Sequence, residues 1–223
     1  MAPIEVLVEF VFDFICPWSY ICKRRLDRAI RICTSFHPDI KITVKYRPFF
    51  LDNTLPGGAR IDTKQRFINQ MGSLEAHQFM DKIFQAAREE GLNISLDVPG
   101  GTTMIHHAIL IKAAEWGRGD EFIETVFRYF FTEKRDICDM ITASEMIQVA
   151  GLVREEVKKV GFDLELKPVV KAMVDENYDM GVTGTPFFIF NETFALAGAH
   201  PIDKFMYILE GLIEHARAKS PPN

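Results

Sequence analysis

A cysteine, a proline, a tryptophan and a serine follow one another near the start of the chain, as Cys16, Pro17, Trp18 and Ser19. They separate an apolar run, residues 4–14, from a segment with helical spacing, so Cys16 lies where a buried strand leads into a helix. Free backbone N–H groups and the helix dipole favour a thiolate there, and the Ser19 hydroxyl can donate to the sulfur. This placement predicts a nucleophilic Cys16 with a lowered pKa. The alternative is that Cys16 is a small buried apolar residue.

The other three cysteines, Cys22, Cys33 and Cys138, show neither a disulfide framework nor a metal-site spacing. Cys22 lies about 600° around the helix from Cys16, so we expect it on a largely opposite face and as a poor resolving thiol. The adjacent His106 and His107 point in different directions on a helix and are not expected to bind a metal together. No metal cofactor is predicted.

The charge balance limits the classes of partner. Lys and Arg total 26 against 31 Asp and Glu, which gives a formal net charge of −5 among 223 residues. Because no surface-wide basic field exists, neither nucleic acid nor an anionic membrane is expected as a partner. Glu9 and Asp13 interrupt the first apolar run, which predicts neither a signal peptide nor a membrane span. Four cysteines without the pattern of a disulfide framework indicate a reducing compartment, and we expect a cytoplasmic protein.

The secondary structure pattern predicts an α/β fold. Residues 4–14 and 40–46 have strand patterns on either side of a helix that ends at Phe36, and Pro17 suits the first turn of that helix. From about residue 62 to 179 the spacing is helical, with room for five or six helices. Two short strands, residues 187–190 and 193–197, precede a final helix over residues 202–217. The sequence therefore predicts a small mixed sheet whose halves are separated by a helical block.

Five segments in order carry a family resemblance that extends over nearly the whole chain: FDFICPWSYICKRRL, YRPFFL, GTTMIHHAI, GVTGTPFFIF and ALAGAHP. They resemble the DsbA-like thioredoxin-fold family, specifically its FrnE-like branch, whose relatives include hydroxychromene-carboxylate isomerases and kappa-class glutathione transferases. The resemblance implies a thioredoxin fold with a large inserted α-helical subdomain. Residues 1–55 and 180–223 would form the discontinuous thioredoxin-like domain, and residues 56–179 the insertion.

The resemblance also implies site residues. It implies a cis peptide bond between Thr185 and Pro186, facing Cys16, with the Thr185 backbone available to a bound peptide or glutathione. The residues expected to act in catalysis are Cys16, Ser19 and His107. The residues expected to contact substrate or glutathione are Pro17, Trp18, Phe49, Thr185, Pro186, Ala199 and His200.

One departure from the family decides the expected chemistry. Its usual second cysteine is Ser19 here, so a dithiol–disulfide cycle cannot close within the motif. One sulfur is enough for cis–trans or double-bond isomerisation, in which a thiolate adds to a conjugated alkene and is eliminated after rotation. We therefore expect a thiol- or glutathione-dependent isomerase of a small hydrophobic conjugated metabolite, with Cys16 or glutathione as nucleophile. The alternatives are a monothiol, glutathione-linked oxidoreductase and a non-catalytic binding protein. A homodimer is implied by analogy only.

Overall fold

The computed structural model describes residues 3–52, 59–152 and 166–219. Its main sheet contains four strands: β1 (Ile4–Phe12), β2 (Ile40–Pro48), β5 (Phe187–Phe190) and β6 (Phe194–Ala197). Their order in the sheet is β2-β1-β5-β6, with β1 parallel to β2 and the other neighbours antiparallel. The register pairs Val8 with both Val44 and Phe190. Strands from opposite ends of the chain therefore form the middle of the sheet.

Helices surround this sheet. Helix α1 (Pro17–Phe36) connects β1 to β2, and α8 (Ile202–Lys219) follows β6 and packs against α1. The described part of the chain between β2 and β5 also contains helices, which are α2 (Thr63–Met71), α3 (Ser73–Glu89), α4 (Met104–Glu115), α5 (Gly119–Phe127), α6 (Met140–Val149) and α7 (Leu166–Asp179). This arrangement confirms the predicted α/β fold with a helical insertion.

The core depends on the apolar character of β1. Phe10 stacks on Phe188 of β5 with ring centroids 4.8 Å apart, and it stacks on Phe12 at 5.1 Å. Phe12 in turn contacts Phe127 at 5.8 Å, which joins the sheet to the inserted helices. A strand covered on both faces is expected to be almost continuously apolar, which is the pattern of the sequence here. The covered strand fixes where the following residues, 13–19, must lie.

Three local features were not predicted from the sequence. A two-stranded antiparallel ribbon pairs β3 (Ile61–Asp62) with β4 (Pro99–Gly100), and a π-helical turn, Arg128–Thr132, extends α5. The β5–β6 turn has positive φ angles at both Asn191 and Glu192, 46° and 56°. Two such residues suit the right-handed twist of a hairpin, so the turn forms without the usual glycine.

Candidate active site

Cys16, which follows β1, and Thr185, which precedes β5, lie side by side because these two strands are antiparallel neighbours. Cys16 is the N-cap residue of α1, Pro17 is the first helical residue, and the Cys16 side chain is buried. Its Sγ atom lies 3.6 Å from the carbonyl oxygen of Thr185, to which the thiol donates. The Thr185–Pro186 peptide bond is cis, the isomer that the resemblance implies. The structure thus brings together the Cys-Pro-Trp-Ser segment and the Thr-Pro segment expected to face it.

Burial dominates the electrostatics of the Cys16 thiol. Loss of hydration raises its pKa, and the nearby Asp13 adds to the increase. Hydrogen bonds that Ser19 and Thr185 could make to a thiolate act in the opposite direction but are the smaller effect. The lowered pKa predicted from the helix start is therefore wrong for this structure. Cys16 does lie at the start of a helix, but the loss of hydration on burial has the larger effect on the pKa of its thiol.

Two hydroxyl groups beside the thiol have no hydrogen-bond partner. They are Oγ of Ser19, whose residue is fully buried, and Oγ1 of Thr185. Buried hydroxyls are normally paired, because an unmade hydrogen bond costs about 1–3 kcal/mol. Both groups can donate to negative charge on sulfur. The site therefore has unused donors around a single thiol.

All four cysteines are free thiols. Burial raises the pKa of Cys22 to about 12 and the pKa values of Cys33 and Cys138 to about 11. Cys22 is fully buried, and the backbone of His200 hydrogen-bonds to its sulfur. None of these three thiols is poised to act as a thiolate near neutral pH. Cys16 thus has no activated partner thiol in the resting structure.

His107 occupies an aromatic pocket. The residue is 2% exposed, and its ring lies 5.3, 4.9 and 5.7 Å from the rings of Phe12, Phe14 and Phe50. Burial lowers the pKa of His107 to about 3. An imidazole with this pKa is neutral and only weakly basic at physiological pH. The His107 Nε2 atom lies 4.0 Å from Asp13 Oδ1, and the other contacts of the ring are packing contacts, so the acid–base role of His107 stays a prediction.

Asp13 is a site residue that sequence reasoning missed. Its buried carboxylate accepts hydrogen bonds from the Leu51 N–H at 2.7 Å and the Thr103 hydroxyl at 2.8 Å. Its carbonyl oxygen accepts the N–H of Cys16 at 3.0 Å. Burial raises the pKa of the Asp13 carboxyl group. The available signal was an acidic residue at the end of a buried strand, three residues before the cysteine.

Two aromatic residues expected to contact the ligand, Trp18 and Phe49, differ in their surroundings. Trp18 is half-buried and makes an edge contact with Phe79 of α3, with ring centroids 6.3 Å apart. Phe49 is 3% exposed and packs with Val11 and Val182 in a small apolar cluster. Phe49 is therefore a core residue in this structure, and the ligand contact expected at this position stays a prediction.

The turn before α8 contains Ala199, which is exposed, and His200, which is half-buried. His200 Nε2 lies 2.9 Å from the Ala197 carbonyl oxygen, and the His200 carbonyl accepts a hydrogen bond from Arg25 at 3.1 Å. These contacts hold the turn beside α1. Ligand contacts for both turn residues stay predictions.

Within residues 3–52, 59–152 and 166–219, no group of three or more His, Cys, Asp or Glu side chains is arranged to hold a metal ion. No helix in those ranges has the length and apolar character needed to span a membrane.

Comparisons with solved structures show proteins of similar fold. A probable DsbA oxidoreductase from Streptomyces coelicolor is 27% identical, with a TM-score of 0.85 over 98% of this chain and 92% of that one. A 2-hydroxychromene-2-carboxylate isomerase is 14% identical, with a TM-score of 0.67 over 96% and 100% of the two chains. The cytosolic disulfide reductase DsbM from Pseudomonas aeruginosa, solved with glutathione, is 15% identical, with a TM-score of 0.62 over 93% and 99%.

A comparison with curated proteins finds no match. The family model of the DSBA-like thioredoxin domain matches residues 7–210, which include Cys16, Ser19 and the Thr185–Pro186 bond. This chain belongs to the DSBA-like thioredoxin domain family.

Proposed function

We propose that the protein is a thiol enzyme that uses one protein sulfur, Cys16, to isomerise a double bond in a small conjugated metabolite. The observation that carries this proposal is the buried, unpaired hydroxyl of Ser19 beside the free thiol of Cys16. A second thiol at this position would make Cys16 available for an intramolecular disulfide. A hydroxyl instead leaves the sulfur free and can stabilise it as an anion.

The reaction needs no net oxidation. The Cys16 sulfur forms a bond to the β-carbon of an alkene conjugated with a carbonyl group, and the alkene electrons move onto the carbonyl oxygen. The thiol proton is taken up by that oxygen, so the adduct is neutral overall. The former double bond, between the α- and β-carbons, is now a single bond and can rotate. The reverse electron movement then restores the alkene and expels the sulfur, which regains its proton. The unpaired Ser19 and Thr185 hydroxyls are available to donate to the sulfur while it is anionic.

Glutathione fits the same surroundings. The two unpaired hydroxyls, of Ser19 and Thr185, can donate hydrogen bonds to the glutathione sulfur. The backbone beside the Thr185–Pro186 bond is suited to pairing with the peptide backbone of glutathione. Cys16, Ser19 and Thr185 are the residues proposed to hold it. Bound there, glutathione would supply a second sulfur nucleophile. The glutathione-containing structure of DsbM, a relative in fold, supports this assignment.

A second candidate function is monothiol disulfide exchange. The contact between Cys16 Sγ and the Thr185 carbonyl favours it, because a peptide strand could align along the Thr185 backbone with its sulfur near Cys16. Cys16 thiolate would displace one sulfur of a disulfide, releasing a thiolate and forming a mixed disulfide. A glutathione thiolate would then attack that mixed disulfide and release Cys16. Similarity to the Streptomyces coelicolor DsbA oxidoreductase supports this candidate.

The two candidates can be separated with defined probes. Cis-configured α,β-unsaturated carbonyl compounds are followed by proton NMR, with and without glutathione, and hydroxyethyl disulfide reduction is followed in parallel. Isomerisation that Cys16→Ser abolishes supports the first proposal with Cys16 as nucleophile. Isomerisation that survives in Cys16→Ser only with glutathione assigns the attack to glutathione. Disulfide reduction without isomerisation supports the second candidate, and turnover in neither assay contradicts both.

Variants at Ser19 test the one-sulfur requirement. Ser19→Cys should close a disulfide with Cys16 under oxidising conditions, losing isomerisation until reductant is added. The matched control is Ser19→Ala, which removes the hydroxyl but adds no sulfur. It should lower the rate by about 10- to 100-fold, the effect of one hydrogen bond to a charged group, and should not respond to oxidant. A fully active, oxidised Ser19→Cys protein would contradict the proposal.

A further inference from the structure

Arg66 is a buried cation, and two of its donor nitrogens have no hydrogen-bond partner. It lies in α2 and is 4% exposed, and its Nε and Nη1 atoms are buried without a hydrogen-bond partner. Its guanidinium carbon lies 5.7 Å from the ring centroid of its own neighbour, Phe67. Buried guanidinium groups are normally paired, because removing a charge from water is unfavourable. The two unpartnered nitrogens of Arg66 are therefore suited to bind a ligand.

Two other buried arginines show how this protein pairs a guanidinium. Arg47 donates to Glu9 at 3.0 Å and to Asn177 at 2.6 Å. Arg25 donates to Glu90 at 2.9 Å. Both have 7% exposure, close to that of Arg66. The absence of such partners in the described surroundings of Arg66 is therefore unusual within the same molecule.

The helix that carries Arg66 lies beside the reactive segment. A Cβ atom on Gly100 would lie 3.5 Å from Thr63 Oγ1 and 3.9 Å from Cγ2 of Ile15, the residue before Cys16. Thr63 is the first residue of α2, so the start of this helix lies near the segment between β1 and α1 that contains Ile15 and Cys16. Arg66 follows one turn later on the same helix.

Two further observations place Arg66 on the Cys16 side of the insertion. Phe67 contacts Phe79 with ring centroids 5.3 Å apart, and Phe79 contacts Trp18 of the Cys-Pro-Trp-Ser segment. The positive charge of Arg66 also lowers the pKa of Asp13, whose carbonyl accepts the Cys16 N–H. The guanidinium therefore acts electrostatically on the group next to the thiol.

Asp13 does not use the free donors of Arg66. One carboxylate oxygen accepts the Leu51 N–H and the other accepts the Thr103 hydroxyl. The carboxylate makes no hydrogen bond to Arg66 among the contacts of the described residues. Nε and Nη1 of Arg66 thus remain available to a ligand.

We infer that Arg66 receives a carboxylate of the molecule that reacts at Cys16, so that the ligand of this site is an organic acid. A guanidinium matches a carboxylate in charge and in planar geometry, and burial strengthens the interaction. The inference rests on the proposed function for the location of the reacting group, and it adds the charge class of the ligand. The carboxylate belongs either to the conjugated substrate or to glutathione.

Alkylation of Cys16 tests the inference without requiring turnover. Iodoacetate and iodoacetamide both form a carbon–sulfur bond to the Cys16 thiolate and release iodide, but only iodoacetate carries a carboxylate. Peptide mass spectrometry gives the rate constant for each reagent at Cys16. The iodoacetate-to-iodoacetamide rate ratio should fall about 10-fold in Arg66→Gln, the size expected for loss of one charge interaction in a partly buried site. Arg66→Lys should keep most of the wild-type ratio.

Arg88→Gln is the matched control for net charge, because Arg88 is an exposed residue of α3. Its ratio should stay within about 2-fold of the wild-type value, since exposed charges are screened. An Arg66→Gln ratio equal to that of Arg88→Gln would overturn the inference, even if the protein is an active isomerase. Conversely, a lowered iodoacetate-to-iodoacetamide ratio in Arg66→Gln supports the inference even if neither proposed activity is found.

Protection experiments identify the source of the carboxylate. Glutathione and its monoethyl ester, in which the glycine carboxylate is blocked, are compared as protectants of Cys16 against iodoacetamide. Weaker protection by glutathione in Arg66→Gln, or by the ester in wild type, assigns the carboxylate to glutathione. A lowered alkylation ratio with unchanged glutathione protection assigns it to the other reactant.

Thermal unfolding supplies an independent check that Arg66 is not a structural residue. Arg66→Gln should unfold close to the wild-type temperature, because it breaks no hydrogen bond of the folded chain and loses only its charge interaction with the Asp13 carboxyl group. Arg47→Gln, which breaks a paired buried charge, should unfold several degrees lower, about 5 °C or more. A comparable decrease for Arg66→Gln would show that it stabilises the fold and would overturn the inference.

Discussion

Acidification should destabilise this protein because two neighbouring histidines of α4, His106 and His107, are buried, and burial disfavours their protonated, charged form. His106 donates from Nε2 to the carbonyl oxygen of Ile137 at 3.0 Å, and the His107 ring hydrogen-bonds to the backbone of Phe49. The remaining ring nitrogens, Nδ1 of His106 and Nε2 of His107, are buried without a partner. Protonation would therefore place a charge on a buried nitrogen that makes no hydrogen bond, although the Asp13 carboxylate lies 4.0 Å from Nε2 of His107.

The magnitude follows from the pKa values. Burial lowers the pKa of His106 to about 4 and that of His107 to about 3. In the unfolded chain the pKa of a histidine is about 6.5. As the pH falls from 6.5 toward 4, the unfolded chain takes up protons that the folded protein does not, so stability present above pH 6.5 is lost. One pKa unit corresponds to about 1.4 kcal/mol, so each histidine alone corresponds to about 3 kcal/mol at pH 4.

The two contributions do not add fully, because the charge of His106 is part of the reason that the pKa of His107 is low. Burial also raises the pKa values of Asp13 and Asp27, and carboxyl groups of this kind favour the folded state as the pH falls. Both effects reduce the net loss. We expect the free energy of unfolding to decrease by about 3 kcal/mol between about pH 7 and pH 4.

Urea unfolding followed by circular dichroism across this pH range measures the decrease. His107→Phe keeps an aromatic ring among Phe12 and Phe14 but cannot titrate. It should cost about 1 kcal/mol at neutral pH through the lost hydrogen bond and should reduce the acid-induced decrease by about half. His77→Gln, at an exposed position of α3, is the matched control and should follow the wild-type pH dependence. A wild-type free energy that stays constant on acidification, or a full decrease in His107→Phe, would refute the reasoning.

Two further predictions concern the hairpin turn and the thiol. Glu192→Gly should raise the free energy of unfolding by roughly 0.5–1 kcal/mol, because Glu192 has φ of 56°, a conformation that glycine adopts without strain; thermal unfolding should show no such gain for Glu192→Ala. Alkylation of Cys16 by iodoacetamide should still accelerate with pH where the rate for free cysteine has levelled off, because burial raises the pKa of this thiol. A Cys16 rate that levels off at lower pH than free cysteine would contradict the dominant role of burial.

Patterns along the sequence predicted the elements that have strong local signals. The apolar run before Cys16, the proline at the start of α1 and the alternation in β2 each identified an element with bounds within a few residues. The Thr-Pro segment was placed opposite Cys16 by family resemblance rather than by periodicity. Local signals suffice where a strand must be covered or a helix must begin, because those requirements involve neighbouring residues.

The sequence did not predict properties that depend on residues distant in the chain. The Cys16 pKa depends on how completely the sulfur is desolvated, and a helix start does not determine this. His107 and Phe49 have residue types that suit a site, but packing against β1 and Val182 encloses them. Arg66 was not singled out because an arginine within a helical pattern is usually a solvated residue. Only the assembled structure shows that Nε and Nη1 of Arg66 are buried without a hydrogen-bond partner.

The pairing of the two ends of the chain in the central sheet has a consequence during protein synthesis. Cys16 and the Thr185 carbonyl that accepts its hydrogen bond are 169 residues apart. At a translation rate of about 5–20 residues per second, the cysteine is made roughly 10 to 30 s before its partner. Until β5 joins β1, the nascent chain presents Cys16 as an ordinary hydrated thiol without this cover. The interval on the ribosome is therefore when this cysteine is most open to oxidants, and completion of the chain provides its protection.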